Sequence, residues 1–327
     1  MENKPPFNIT EEMLEYVAEI AEELGGIKSV EALDKLPRLR RIGRIKSIHS
    51  SLAIENNSLT LEQVSDIIEG KRVIGPPDEI LEVKNAFAAY KELESVDPYN
   101  MKDLLRVHGI MTNGLVEEGG KFRTVNEGIY SSDGRVVHIA PQPHMVPKLM
   151  DGLFGWLKTS KAHALIKSSV FHYGFEFIHP FRDGNGRIGR IWHTAILMTW
   201  KLVFAWIPIE SIIRERQAEY YEAIAKSTSA GASDAFILFM LRATLNAVRA
   251  IAADAQAHIS HINARIRELL AVLEHFPLSS AEIMERLKLK SRDGFRNNYL
   301  KPALEAGLIF MTEPDKPTSK NQMYFKK

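Results

Sequence analysis

Apolar residues recur every three to four positions along most of the chain. The pattern is clearest in two sets, Ile42, Ile45, His49 and Leu52 in one and Leu104, Val107, His108 and Met111 in the other. Spacing of this kind is typical of amphipathic helices that pack on one another. The pattern therefore predicts a mainly α fold.

Local signals place a helix joint and a hairpin on this helical body. Asn56 and Asn57 close one helix, and Thr60, followed three residues later by Gln63, forms a capping box that opens the next. The clear early strand signal lies at 128–139, where GIY and RVVHI flank an Asp-Gly turn. We predict a β-hairpin there.

From residue 279 the pattern changes to short helices followed by strands. A short helix capped by a serine, a polar turn at 290–292 and a second helix that ends at Gly307 precede two strands, at 308–312 and 322–325. This order predicts a small winged helix-turn-helix domain.

The composition narrows the class of protein. Of the 327 residues 45% are hydrophobic, which is enough to bury a core, and 42 Lys and Arg nearly balance 41 Asp and Glu. Cysteine is absent, so disulfides, zinc-thiolate sites and a cysteine nucleophile are excluded. The N-terminus lacks a signal-peptide core, and the apolar stretches AILMTW and LVFAWIPI are too short to span a bilayer. We expect a soluble, cytoplasmic protein with no membrane partner.

Basic charge is concentrated in the C-terminal segment. Residues 279–327 hold ten Lys and Arg against six Asp and Glu, a net charge of +4 that leaves −3 for the rest of the chain. A surface that contacts the phosphates of DNA needs such a concentration. Small helix-turn-helix folds also serve as protein-docking modules, so both kinds of partner stay open.

The most informative stretch is HPFRDGNGRIGR, from His179 to Arg190. The preceding helix must end near His179, because Pro180 disfavours helical geometry in the residue before it. The glycine turn at 184–186 exposes backbone N–H groups, and the next helix, from about Arg187, points its positive N-terminus into the same space. Together they form a cradle for an anion.

The side chains around this cradle suit the transfer of a phosphate-containing group from a nucleotide to a hydroxyl. Arg187 and Arg190 lie on one helix face and can fork onto phosphate oxygens. Asp183 is a carboxylate of the kind that Mg²⁺ takes together with phosphate oxygens, and His179 can accept a proton from a hydroxyl. The glycines at 184–189 also satisfy the dinucleotide fingerprint, but the strand that this motif requires before it is missing.

The stretch resembles the Fic family signature His-x-Phe-x-Asp-Gly-Asn-Gly-Arg-x-x-Arg at all eight fixed positions. The resemblance covers about residues 87–230 and includes Phe122-Arg123, the hairpin, 141–157 and Tyr220-Tyr221. It implies a Fic-type helical bundle with a β-hairpin flap. It also implies AMPylation, in which ATP and Mg²⁺ deliver AMP to a Ser, Thr or Tyr hydroxyl of a target protein and pyrophosphate is released.

The resemblance implies a role for each motif residue. His179 would activate the target hydroxyl, Asp183 would hold Mg²⁺, and Phe181 would be an internal anchor. Arg187 would contact the β-phosphate and Arg190 the γ-phosphate. Further nucleotide contacts would come from Gly184, Asn185, Gly186, Tyr220 and Tyr221. The flap that adds an extended target segment as an extra strand would consist of Val136, Val137, His138 and Ile139. Related sequences often have Asn shortly after the tyrosine pair, where this chain has Ser227 and Thr228.

Far upstream, Ser51-Leu52-Ala53-Ile54-Glu55-Asn56 resembles the Fic inhibitory pattern Ser/Thr-x-x-x-Glu-Gly/Asn. Ser51 and Glu55 are four residues apart and share a helix face. In the family this glutamate pairs with the second motif arginine, here Arg190, and keeps the γ-phosphate out of its productive pose. A plain helix-end acid is the alternative interpretation of Glu55.

Several hypotheses follow for the whole chain. The favoured one is a self-inhibited protein adenylyltransferase; the alternatives are other Fic chemistry, namely phosphate transfer or AMP removal, and a DNA-binding regulator whose Fic core senses nucleotide. Alanine-rich helices at 233–262 leave packing within the monomer or in a homodimer open. The predicted segments are an N-terminal helical region with the inhibitory helix at 1–85, a Fic core at 86–230, connecting helices at 231–278 and the winged helix-turn-helix domain at 279–327.

Overall fold

The computed structural model describes residues 5–26, 37–130, 136–273, 276–305, 307–317 and 319–326. These residues are mostly helical, as the hydrophobic spacing predicts. The chain divides into two compact units, Met1–Ala252 and Ala253–Lys327. The finer division into four segments stays a prediction.

The first unit is built from helices with a single hairpin inserted among them. Before the hairpin come α1 (Glu11–Gly26), α2 (Pro37–Ile54), α3 (Leu61–Ile68), α4 (Pro77–Glu92) and α5 (Met101–Met111). The hairpin consists of β1 (Gly128–Tyr130) and β2 (Val136–Ile139). After it come α6 (Val146–Thr159), α7 (Ala164–Ile178), α8 (Asn185–Met198), α9 (Ile209–Glu215), α10 (Gln217–Ala230) and the first half of α11 (Asp234–Val272), whose residues after Ala252 belong to the second unit. Short 3₁₀ turns lie at Pro143–Met145 and Leu202–Trp206.

The joint between α2 and α3 forms as its sequence predicts. Asn56 adopts a positive φ of 69°, a conformation that asparagine tolerates better than most residues, and the chain leaves the helix there. Thr60 Oγ1 accepts the Gln63 N–H at 3.2 Å, while Gln63 Oε1 accepts the Thr60 N–H at 2.9 Å. The capping box is therefore confirmed.

Helices α7 and α8 lie at the centre of the first unit and pack against each other. Large side chains such as Phe171 and Phe175 on α7 and Trp192 on α8 are fully buried. Helix α7 also buries the polar residues His172 and Glu176. A helix that is buried on nearly every side cannot present a plain amphipathic stripe, and its polar residues must find partners inside the protein.

Within α11 the segment Asp234–Asp254 has 21 residues and a mean hydropathy of 1.5. By length and composition it could cross a membrane, and in the part of the chain that the structure describes it alone meets that test. The expectation that every apolar stretch is too short was wrong here, because it considered only shorter runs. In the fold 61% of its most apolar stretch is buried, as in many core helices.

The predicted hairpin is present as an antiparallel pair. Gly128 lies opposite Ile139 and Tyr130 opposite Val136, with an irregularity between Ile129 and Tyr130. The predicted Asp-Gly turn and Arg135 lie outside the described residues.

The second unit combines short helices with a small sheet. Its elements after α11 are β3 (Leu278–Ser279), α12 (Ser280–Arg286), α13 (Arg292–Phe295), a π turn (Arg296–Leu300), α14 (Lys301–Glu305), β4 (Ile309–Met311) and β5 (Met323–Lys326). The antiparallel sheet has the order β3-β5-β4.

The order of helices and strands in this unit follows the prediction, with differences in detail. Ser279 caps α12 in a capping box with Glu282, and Ser291 caps α13. The first strand, β3, was missed, because two residues carry no alternating pattern. The unit has its own core of Ile266, Leu269, Leu273, Leu278, Ile283, Phe295, Leu300, Ala303, Ile309 and Tyr324.

Candidate active site

His179 lies directly after α7, in a backbone conformation that is unusual for its type. Its φ and ψ are 49° and 62°, in the left-handed region, and its N–H donates to the Phe175 carbonyl at 2.8 Å. The helix ends where Pro180 predicts. The residue as a whole is half-buried, and its ring atom Nδ1 is buried. A left-handed non-glycine residue costs on the order of 1 kcal/mol and persists only where its surroundings hold it.

The loop after His179 is closed by reciprocal hydrogen bonds. Asn185 Oδ1 accepts the Phe181 N–H, and Asn185 Nδ2 donates to the Phe181 carbonyl, both at 2.8 Å. Phe181 is fully buried, as an internal anchor should be. Helix α8 begins at Asn185, two residues before the predicted start, so the Asn185 side chain fastens the loop and only its backbone is left for the cradle.

His108 on α5 packs against the same loop and is hydrogen-bonded to it. Its ring stacks on Phe181, with centroids 3.6 Å apart. Nδ1 accepts the Gly120 N–H at 2.8 Å, so the proton lies on Nε2, which donates to the Asp183 carbonyl at 2.9 Å. Burial lowers the pKa of His108 to about 4, and the ring is therefore neutral near pH 7. The sequence had placed His108 only on a packed helix face.

Asp183 and Arg187 form an ion pair at the start of α8 in which both carboxylate oxygens of Asp183 take part. One Arg187 amino group donates to both carboxylate oxygens of Asp183 at 2.8 Å, and the other donates to Glu82 on α4 at 2.8 Å. Burial opposes ionisation of Asp183, but the Arg187 guanidinium and the Gly184 N–H outweigh it and lower the pKa of Asp183. Asp183 is therefore a carboxylate at neutral pH.

The Asp183 carboxylate fits the magnesium role that the sequence predicts. Its side chain is 50% exposed, although the Arg187 side chain is nearly buried. Among the described residues there is no cluster of three or more His, Asp or Glu side chains that could hold a metal by themselves. Mg²⁺ does not need one, because it binds one or two carboxylates together with water and substrate phosphates.

Arg190 is held by Ser51 and Glu55, the two residues of the inhibitory pattern. Its side chain is 1% exposed; Nε donates to Ser51 Oγ at 3.0 Å, and one amino group donates to the Ser51 carbonyl at 2.9 Å and to Glu55 Oε1 at 2.7 Å. The Glu55 side chain remains 33% exposed. The structure thus brings Ser51, Glu55 and Arg190 together across 139 residues of sequence.

The Glu55 carboxylate also lies against the glycine turn. A Cβ added to Gly186 would collide with Glu55 Oε1 and would come within 2.9 Å of the Arg190 guanidinium. A larger residue at this position would push the Glu55 carboxylate away from the backbone. An acidic side chain therefore lies in the cradle that the sequence predicts for a phosphate.

Helix α2, which carries Ser51, is fastened to its neighbours by buried polar contacts. Ser47 Oγ donates to Glu210 on α9 at 2.8 Å, and Tyr90 Oη donates to the other oxygen of Glu210 at 2.8 Å. At the end of α2, Gln217 Nε2 donates to the Ile54 carbonyl at 3.0 Å. Glu210 and Gln217 are distant in sequence from α2, and no local pattern pointed to them.

A second buried polar group lies behind Arg190. Tyr220 Oη and His172 Nε2 are 3.2 Å apart, and His172 Nε2 is 3.6 Å from Glu176. Burial raises the pKa of Glu176 to about 7. Gly189 makes room for this group, because a Cβ there would lie 2.7 Å from Glu176 Oε1.

The two tyrosines that were predicted to line the adenine side differ in burial, although their rings meet edge to face with centroids 5.4 Å apart. Tyr220 is buried and contacts His172, whereas Tyr221 is half-exposed. Direct nucleotide contact by Tyr220 would require this packing to open, and the adenine role of the pair stays a prediction. Nearby, Ser227 Oγ accepts the Phe236 N–H, and Thr228 Oγ1 lies 3.3 Å from Tyr173 Oη.

The flap residues are only partly described. The backbone of 136–139 pairs with β1, and Ile139 is 77% exposed at the base of the hairpin. The side chains of Val136, Val137 and His138 lie outside the described residues, so target docking by the flap stays a prediction.

Comparison with known proteins agrees with this geometry. Residues 98–197 match the Fic/DOC family, and residues 264–325 match the family described as filamentation induced by cAMP protein Fic-like, C-terminal domain. A protein adenylyltransferase Fic of Culex quinquefasciatus is 32% identical over 190 residues, or 54% of this chain and 36% of that protein. One of Nematostella vectensis is 28% identical over 219 residues, or 63% of this chain and 48% of that protein. The chain spans less than half the length of these relatives.

A solved structure extends the comparison to both units. A Fic family protein from Desulfovibrio desulfuricans G20 is 44% identical, with a TM-score of 0.75. The match covers 99% of this chain and 98% of that one. Because similarity at this level runs along nearly the full length of both proteins, we conclude that this chain belongs to the Fic family.

Proposed function

We propose that this chain transfers AMP from ATP to a Ser, Thr or Tyr hydroxyl of a target protein and that its own Glu55 restrains the reaction. The observation that carries the proposal is the placement of His179, at the end of α7, beside a glycine turn whose two arginines are buried. The names of the relatives support the reaction class. The cytoplasm, where ATP is abundant, is the proposed compartment.

The step balances as a nucleotidyl transfer. His179 takes the proton of the target hydroxyl, whose oxygen then bonds to the α-phosphorus of ATP while the bond to the bridging oxygen breaks and pyrophosphate leaves. The backbone N–H groups at the start of α8 and the Arg187 guanidinium would hold the phosphates, joined by the Arg190 guanidinium once Glu55 releases it. Asp183 would hold Mg²⁺, which supplies charge neutralisation for the leaving pyrophosphate when bound.

The contacts of Glu55 support self-inhibition. Glu55 binds Arg190 and lies against Gly186, so an anion in the cradle would meet a carboxylate and would lack the guanidinium. ATP would then sit with its γ-phosphate displaced and its α-phosphate misaligned for attack. Transfer depends steeply on such alignment, so restraint needs no complete block of binding.

The substitution Glu55→Gly tests both parts of the proposal. We expect the variant, mixed with Mg²⁺ and ATP, to gain the mass of AMP on itself at a rate about tenfold or more above wild type, since the near-attack geometry is restored. Intact-mass analysis measures the gain. The matched control is Glu62→Gly on the exposed first turn of α3, which should leave labelling unchanged. Equal labelling in wild type and Glu55→Gly would contradict self-inhibition.

Labelled ATP separates the alternatives. Label retained from the α-position but not from the γ-position indicates AMP transfer, and the reverse indicates phosphate transfer. Loss of AMP from a modified protein on adding the wild-type chain would favour AMP removal. No label from either position would contradict the proposed reaction class.

A further inference from the structure

We propose that Arg123 is a positioning residue that locks the backbone of His179 to both ends of the flap hairpin, so that the base and the docked target segment keep one fixed spacing. The proposal rests on the proposed function, in which His179 is the base and the hairpin docks the target segment. Arg123 lies outside the motif and outside the inhibitory pattern, although two of the carbonyls that it binds belong to the motif residues His179 and Pro180.

One guanidinium group meets carbonyls from two separate parts of the fold. On the side of α7, Arg123 Nε donates to the His179 carbonyl at 2.6 Å, and an amino group reaches the Ile178 carbonyl at 3.3 Å. On the side of the hairpin, the two amino groups donate to the Val125 carbonyl at 2.7 Å and the Pro141 carbonyl at 2.5 Å.

The backbone of Arg123 adds a fifth bond to the same region. Its N–H donates to the Pro180 carbonyl at 2.9 Å. Residues 178–180 are therefore bound by this arginine at three successive carbonyls. These bonds hold the carbonyls on either side of the left-handed turn at His179.

The hairpin is held at both of its ends. Val125 lies three residues before β1, and Pro141 lies two residues after β2. In between, Ala140 N–H donates to the Glu127 carbonyl at 3.1 Å. This bond extends the hydrogen bonding between the two strands toward Arg123, whose bonds to both parts of the fold we call the clamp. Both strands are therefore anchored next to Arg123, and the clamp sets where β2 lies relative to His179.

The electrostatics explain why the residue is an arginine. Arg123 is 2% exposed, and Glu127 supplies a favourable charge interaction without an ion pair among the described contacts. Its charge is met by carbonyl dipoles, two of them at the C-terminal end of α7, where the helix dipole favours a cation. Five planar N–H donors can reach four carbonyls in fixed directions, whereas the point charge of a lysine cannot.

The test is Arg123→Lys in the active Glu55→Gly background. We expect self-labelling to fall at least about tenfold at saturating ATP, because misplacement by about 1 Å costs up to two orders of magnitude. The dissociation constant for ATP should stay within about twofold, because the phosphate contacts lie on α8. Arg106→Lys, the same change at an exposed arginine that pairs with Glu92, is the control and should alter neither quantity.

Hydrogen exchange gives a readout that does not depend on activity. In Arg123→Lys, peptides that cover 136–141 and 176–181 should lose protection together, while those within α8 keep theirs. A merely structural role would lower protection throughout the first unit and weaken ATP binding in parallel. If self-labelling is unchanged, or if only one of the two segments loses protection, the clamp does not couple them.

A second variant covers the case in which Arg123→Lys does not fold. Two glycines inserted between Ala140 and Pro141 leave Arg123 and its bonds to residues 178–180 in place but detach β2 from the clamp. Self-labelling should again fall with ATP binding retained, and unchanged labelling would overturn the proposal. Should Glu55→Gly itself fail to label, the proposed function fails, while the exchange data still decide whether Arg123 joins the two segments.

Discussion

At the scale of single residues, the site depends on a few atoms in constrained positions. His179 occupies a left-handed conformation at the end of α7, and Gly186 leaves room for a carboxylate that a Cβ would displace. Both features place a chemical group beside the start of α8. The proposed base ends the helix before the motif loop, and the proposed restraint lies against the glycine turn of the same loop.

Replacing the base should separate catalysis from binding. In the Glu55→Gly background, His179→Ala is expected to reduce AMP transfer by a factor of at least about 100, because no other described side chain is proposed to take the hydroxyl proton. ATP affinity, measured by calorimetry, should change by less than about twofold. Labelling that persists in this variant would exclude His179 as the base.

Local chemistry explains how much of the site the sequence predicts. Pro180, the glycine turn and the spacing of Arg187 and Arg190 act over a few residues, so their consequences can be deduced from the order of the chain. Arg187 contacts Glu82 instead of solvent, and His108 binds the motif loop. Those partners come from other helices and depend on packing, which no short window of sequence contains.

At the scale of elements, α2 acts as the carrier of the inhibitory residues. Its position is set by buried polar bonds to α9 and α10, through Ser47, Glu210 and Gln217, and by its contact with Arg190. A buried hydrogen bond contributes about 1 kcal/mol and fixes direction as well as distance. We call these hydrogen bonds between α2 and its neighbours α9 and α10 the α2 seam. Loss of one bond in the seam should therefore shift α2 before it unfolds the protein.

Ser47→Ala tests this seam without touching the cradle. The change leaves one oxygen of Glu210 without its donor, so we expect a loss of about 1 kcal/mol in the free energy of unfolding and a rise in self-labelling that is smaller than in Glu55→Gly. Urea unfolding and intact-mass analysis measure the two effects. Ser65→Ala on α3, whose hydroxyl donates to Glu69 at 3.3 Å, serves as the matched control. A destabilised Ser47→Ala protein with wild-type labelling would show that the seam does not govern inhibition.

Element boundaries were predicted less well than element types. Helix α8 starts at Asn185, two residues early, because Asn185 bonds back to Phe181 and lets Gly184 take a φ of +81°. In the second unit, β3 depends on pairing with β5, which lies 45 residues later in sequence. Such pairings arise from tertiary contacts, so local patterns indicate the type of an element better than its ends.

At the scale of the whole molecule, buried titratable groups link stability to pH. Burial lowers the pKa of His108 to about 4 and that of His172 and His193 to about 3, so all three are neutral in the fold. In the unfolded chain they bind protons from about pH 6.5 downward. Glu176 acts in the opposite sense, because its pKa is raised to about 7 in the fold and is near 4.5 when unfolded.

The sign of the pH dependence follows from these shifts. Between pH 6.5 and pH 4.5 the three histidines bind more protons unfolded than folded, so each lowers the free energy of unfolding by on the order of 1 kcal/mol per pH unit as the pH falls. Glu176 binds more protons folded than unfolded in this window, and it raises the free energy of unfolding by a similar amount. Three contributions outweigh one, and the protein should be less stable at pH 5 than at pH 7.

Glu176→Gln isolates the opposing contribution. The glutamine side chain cannot ionise. The free energy of unfolding of the variant should therefore fall more steeply than that of the wild type as the pH is lowered from 6.5 to 5, by on the order of 1 kcal/mol per pH unit. Urea unfolding at several pH values, followed by circular dichroism, measures both slopes. Glu285→Gln, on α12 of the second unit, controls for the loss of a carboxylate. If the wild type and Glu176→Gln lose stability in parallel, Glu176 is already ionised in the folded protein, and its carboxylate is stabilised by Arg190 more than burial penalises it.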